Sequence, residues 1–148
     1  MITYSYLALG DSYSIGEQVA FADNFPNQTV QLLRKDGFGF YAPEIIAKTG
    51  WTTDELNDAI ENTALLETYD IVSLLIGVNN QYRGSDINKY REQIRFLVSK
   101  SIEYAGNAPN RVVVLSIPDR GVTPFASSRD REQIAKDIDA FNFVNREE

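Results

Sequence analysis

The chain has 148 residues, a length that suits one domain (1–148) whose core needs no staple. Its formal charge of −7 argues against nucleic acid and against an anionic membrane surface, since both demand Lys/Arg patches. It has no cysteine, which excludes disulfides and thiolate metal sites, and it has no histidine.

Met1-Ile2-Thr3-Tyr4 leads straight into a strand, with neither the basic start nor the apolar run of a signal peptide. The cytoplasm is therefore the default compartment, although a mature exported protein would read the same. No apolar run approaches a membrane span. Tyr4 to Leu9 reads as a buried strand ending at Gly10. Asn24 to Asp36 carries Val30, Leu32 and Leu33 at roughly helical spacing, with Gly37 as a stop. Glu44 to Ala47 is a weaker strand. Thr52 with Glu55 three residues on makes a capping box, and Leu56, Ile60 and Ala64 continue one helical face.

Asp70 to Ile76 is the clearest strand, apolar almost throughout, as a parallel strand covered on both faces should be. Ile87 to Glu103 is helical, with Ile94, Leu97, Val98 and Ile102 on one side. Arg111 to Ser116 is a further buried strand, closed by Pro118. Asp130 to the C-terminus is helical through Ile134, Ile138, Phe141 and Val144. This alternation predicts an α/β fold, a three-layer α/β/α sandwich on a parallel, flavodoxin-like sheet with right-handed crossovers. Ligands of such sheets sit beyond the carboxyl ends of the strands.

Gly10-Asp11-Ser12-Tyr13-Ser14, Gly50, and Gly77-Val78-Asn79-Asn80 all fall at such ends, joined by the loop Pro118-Asp119-Arg120-Gly121. Taken singly, each has a plain explanation. Ser12 suits a helix N-cap, Gly50 suits a turn, and Asn79 and Asn80 suit a turn after a strand. Asp119-Arg120 reads first as a local turn pair, with a pocket-rim contact as the alternative. Trp51 reads as packing near the pocket. Three such motifs converging on one sheet edge form the stronger argument. No metal-ligand spacing stands out, and neither a complete dinucleotide glycine pattern nor a Gly-x-Ser-x-Gly elbow is present.

In these blocks and their spacing the sequence resembles the SGNH/GDSL hydrolase superfamily of lipase-like acyl hydrolases and esterases. The resemblance implies that Ser12 attacks an ester carbonyl and forms an acyl-enzyme. It implies an oxyanion hole made of the Ser12 and Gly50 backbone N–H groups and the Asn79 amide. Asp11, Tyr13, Asn80, Tyr82, Asp119 and Phe125 are candidate substrate-binding or supporting residues, with Asp11 expected to accept loop N–H groups. The substrate would be a small-molecule, lipid or carbohydrate ester, with no cofactor, no metal and no nucleic acid.

Two departures stand out. Asn80 replaces the Asp common in the third block, and the final Asp-x-x-His block, which supplies the family's base, is not among these residues. The chain stops inside a helix without a stop signal, so a C-terminal truncation is expected, with a closing strand and helix missing and this chain weak or inactive for want of a His base. The strand near Val112–Leu115 would then be an exposed edge open to self-association. The alternative is a non-catalytic module of the same fold that binds acyl or carbohydrate esters. A flavodoxin-like nucleotide binder shares the sheet but is disfavoured by the motifs.

Overall fold

Alternate residues of Tyr6–Gly10 (β2) point to opposite sides of a sheet, and both sides are apolar. All five are buried, so β2 has to be an interior strand. A computed structural model, which describes residues 1–148, places it there. The main sheet has four strands, β2, Glu44–Ala47 (β4), Ile71–Leu75 (β5) and Val112–Val114 (β6), in the order β4-β2-β5-β6. Every pairing is parallel, with Leu9 opposite Ile46 on one flank and Leu74 on the other, and Leu74 opposite Val114. Taken by chain position this is the 2-1-3-4 order of flavodoxin-like sheets, as expected. A small separate parallel pair, Thr3–Tyr4 (β1) with Gly39–Phe40 (β3), was not foreseen.

The layers follow from that alternation. Leu7, Leu9, Val72 and Leu74 face a core shared with Leu56 and Ile60 of Thr53–Glu61 (α3), Ile94 and Leu97 of Ile87–Tyr104 (α5), and Ile138, Phe141 and Val144 of Arg131–Glu147 (α6). Tyr6 and Ala8 face the other way, onto Val30 of Phe25–Lys35 (α2) and Phe40. Tyr6 Oη and Ser73 Oγ share a hydrogen bond of 2.8 Å on that side, so two buried hydroxyls satisfy each other.

Local chemistry sets the ends of the elements. Asn24 caps α2 by accepting from Asn27 N, and Asp130 caps α6 by accepting from Gln133 N. The Thr52–Glu55 capping box opens α3, with Thr52 N donating to Glu55 Oε2 at 2.9 Å. Three expectations need correction. The first strand does not run unbroken from Tyr4 to Leu9: at Ser5 the backbone leaves the ladder, its N–H donating to Asp70 Oδ2 at 2.8 Å and its carbonyl accepting from Asp70 N and Ile71 N. The helix after Thr52 stops at Glu61, before Ala64, because Asn62 and Thr63 fold back onto the carbonyls of Asp58 and Ala59. Finally, β6 is three residues long rather than six, and it forms a sheet edge with Val113 half exposed.

Candidate active site

The carboxyl ends of β2, β4, β5 and β6 open onto one side of the sheet. There β2 turns directly into a four-residue helix, Ser12–Ile15 (α1). Asp11 caps it, its Oδ1 accepting from Tyr13 N at 3.0 Å. Ser12, as the first helical residue, keeps a backbone N–H with no partner inside the helix. After β4 the chain passes through Gly50 at φ +89°, a left-handed conformation that side chains rarely adopt. Arg83 holds this turn by donating from Nη2 to Gly50 O at 2.7 Å and from Nη1 to Glu55 Oε1 at 3.2 Å.

After β5, Gly77 sits at φ +129°, where a Cβ would lie 2.5 Å from Tyr90 Oη and 2.6 Å from Ile117 Cδ1. Only glycine lets the chain pass here into the short helix Val78–Tyr82 (α4). Within α4 the two asparagines diverge. Asn79 donates one amide hydrogen to Trp51 O at 3.0 Å, which leaves the second without a protein acceptor. Asn80 is buried with both amide ends engaged by α3, Oδ1 accepting from Thr53 N at 3.1 Å and Nδ2 donating to Thr53 Oγ1 at 2.8 Å.

These turns enclose a cleft of about 610 Å³. Ser12, Tyr13, Gly50, Asn79, Tyr82 and Phe125 all line it, so six of the nine candidate residues come together at one sheet edge. Tyr82 and Phe125 face each other with ring centroids 6.3 Å apart. The other three do not line it. Asp11 is fully buried beneath the serine turn, Asn80 is spent on tying α4 to α3, and Asp119 turns back to accept from Gly121 N at 2.7 Å. Trp51 packs partly buried against the main core.

Sequence reasoning missed Glu17, Gln18, Thr49, Val78 and Thr123 as lining residues; of the Asp119-Arg120 pair, read as a local turn pair or a pocket-rim contact, Arg120 lines the cleft and Asp119 does not. Thr49 and Val78 could have been found as the neighbours of Gly50 and Asn79. For Asp119 and Arg120 the sequence left the choice open, because the conformation of their loop decides which of them faces inward.

Burial dominates the electrostatics. It raises the Asp11 carboxyl from 3.8 to about 7, against the lowering effect of the Tyr13 N–H. It also raises the Tyr13 phenol, reinforced by the nearby Asp11 charge. The Arg120 guanidinium is pushed down, first by burial and then by the like charge of Arg129. No group of three or more carboxylates is placed to hold a metal ion. No helix is long and apolar enough to cross a membrane.

Several solved structures share this fold. The lipase Lip_vut3 from a goat rumen metagenome is 19% identical, with a TM-score of 0.75 over 97% of this chain and 75% of its own. The lipase/acylhydrolase from Enterococcus faecalis is 18% identical, with a TM-score of 0.69 over 97% of this chain and 72% of its own. The acetylxylan esterase Axe2 from Geobacillus stearothermophilus is 18% identical, with a TM-score of 0.65 over 97% and 72%. No curated protein sequence matches the chain. The sequence profile of the GDSL-like lipase/acylhydrolase family, however, matches residues 8–147, from the middle of β2 to the last turn of α6, and by that match the chain belongs to this hydrolase family.

Proposed function

We propose that the Ser12 cleft is the acyl-transfer site of a carboxylic ester hydrolase. The supporting observation is that Ser12, Gly50 and Asn79, drawn from the ends of three different strands, line one cleft. In the proposed reaction Ser12 Oγ attacks the ester carbonyl and gives up its proton to a base. The alcohol leaves carrying a proton, and water then hydrolyses the acyl-enzyme to acid and free serine. The negative charge on the carbonyl oxygen would be met by the backbone N–H groups of Ser12 and Gly50 and the unused amide hydrogen of Asn79. The aromatic wall of Tyr82 and Phe125 would take the apolar part of the ester. None of the 148 residues is a histidine, so an imidazole base is not drawn from among them.

In a second reading, these residues bind esters without cleaving them. Incubation with a fluorophosphonate, followed by mass spectrometry of the peptides, separates the two. Ester hydrolysis through Ser12 requires a phosphonyl adduct on that residue, abolished by Ser12→Ala. A folded, full-length protein that stays unlabelled, yet binds an ester saturably, is a binding module.

A further inference from the structure

One group in the cleft wall is left over by the chemistry just described. Arg120 lies in the turn after β6 and lines the same cleft as Ser12, yet it is only 8% exposed. Its Nε donates to Gln81 Oε1 at 2.9 Å, and Gln81 is held in turn by donating to Asp137 Oδ2 at 3.2 Å. Its Nη1 is buried without any partner. The residue takes part in none of the ion pairs of the chain.

A buried guanidinium without a counter-ion is costly, and buried charges are normally paired. The Tyr82 ring and the Asp119 charge offset part of that cost, but neither forms an ion pair with Arg120. Its carbon lies 4.8 Å from the centroid of the Tyr82 ring, and that of Arg129 lies 4.9 Å from the same centroid, so two cations share one aromatic ring. The nearest acidic neighbour in sequence, Asp119, spends its Oδ1 on Gly121 N. Glu17 is the single carboxylate among the residues lining the cleft, and it is exposed. The side chain is also held in place at its Nε, which makes it a prepared donor rather than a flexible surface charge. A guanidinium presents paired N–H donors in a fixed fork that matches the oxygens of a carboxylate or phosphate.

We propose that Arg120 forms an anion subsite in the Ser12 cleft, so that the ester bound there carries a carboxylate or phosphate group besides its ester bond. This rests on the reading of the cleft as an ester site. The anion would supply the charge that Arg120 lacks in the free protein, and in return would fix which way the ester lies against Ser12. Neutral esters of equal size would forgo that contact. The preference would weaken as salt screens it, though less than for a surface pair.

The test is binding to the Ser12→Ala protein, where no turnover intervenes. Two matched pairs serve as probes: monomethyl glutarate against dimethyl glutarate, and 1-butyryl-glycerol 3-phosphate against 1-butyryl-glycerol. Each is titrated by NMR or calorimetry. The anionic member of at least one pair should bind about tenfold or more tightly than its neutral partner, the scale of one charge-assisted hydrogen bond. The pair with the larger ratio tells carboxylate from phosphate. Arg120→Gln should erase the preference and Arg120→Lys should keep part of it. Because Gln could disturb the Gln81 contact, each variant is checked for an unchanged fold by its NMR spectrum. If Arg120→Gln does not fold, the ratio in the parent protein and in Arg120→Lys decides. Equal affinity within both pairs, no binding of any probe, or a preference that survives Arg120→Gln overturns the proposal. Labelling of Ser12 by a fluorophosphonate is read separately, so loss of the anion subsite and loss of the esterase reading give different results.

Discussion

Replacing Asp11 by Asn should flatten the dependence of stability on pH, and the size of the effect follows from its burial. The carboxyl is fully buried and its Oδ2 has no hydrogen-bond partner. Desolvation raises it from 3.8 to about 7. Between those values the folded chain holds a proton that the unfolded chain has released. Stability from this group is therefore greatest at low pH, falls as pH rises through that window, and levels off above about 7. Between pH 5 and pH 8.5 the loss integrates to about 3 kcal/mol. Asn is nearly the same shape, and its Oδ1 can still accept from Tyr13 N, so the cap of α1 survives while the titration disappears. Urea unfolding of both proteins at the two pH values gives the difference directly, and all other titrating groups cancel in it. Pairs of curves that shift equally with pH, to within about 0.5 kcal/mol, would refute the argument.

Asn79→Ala should slow fluorophosphonate labelling of Ser12 by about 10²–10³, the usual effect of removing one oxyanion donor, with little change in Tm; an unchanged labelling rate would remove Asn79 from the site. Gly50→Ala has room for its Cβ, since the nearest atom is Arg83 Nη2 at 3.9 Å, so its cost is backbone strain alone at φ +89°. A loss of about 1–2 kcal/mol is expected from denaturant unfolding. Tyr90→Phe removes a buried hydroxyl that donates to Asn145 Oδ1 at 2.7 Å and approaches Ile76 O at 3.3 Å, which ties α6 to the end of β5. It should cost about 1–2 kcal/mol, and an unchanged midpoint would mean that water replaces the bond without penalty.

Much of this protein could be read from local pattern. Apolar runs such as Ile71–Leu75 have to lie between two layers, because no other placement buries residues on both faces of a strand. Caps such as Asn24, Thr52 and Asp130 act within three residues of themselves, so their roles are local and legible. Parallel strands joined by helices also force the blocks at Ser12, Gly50 and Asn79 to one edge, whatever the details of packing.

Tertiary structure decided which way neighbouring side chains face. Asn79 and Asn80 are adjacent and identical in type, yet one lines the cleft and the other binds Thr53, 27 positions away in the chain. Asp119 and Arg120 divide in the same manner, the acid folding onto its own turn and the base pointing into the wall of the cleft through a contact with Gln81. Ser5 leaves the first strand because Asp70 captures its N–H across a separation of 65 residues. Local propensity sets which elements form, since its hydrogen bonds lie within one turn or one strand. The direction of a loop side chain depends instead on partners brought close only when the sheet has assembled, and no short stretch of sequence contains them.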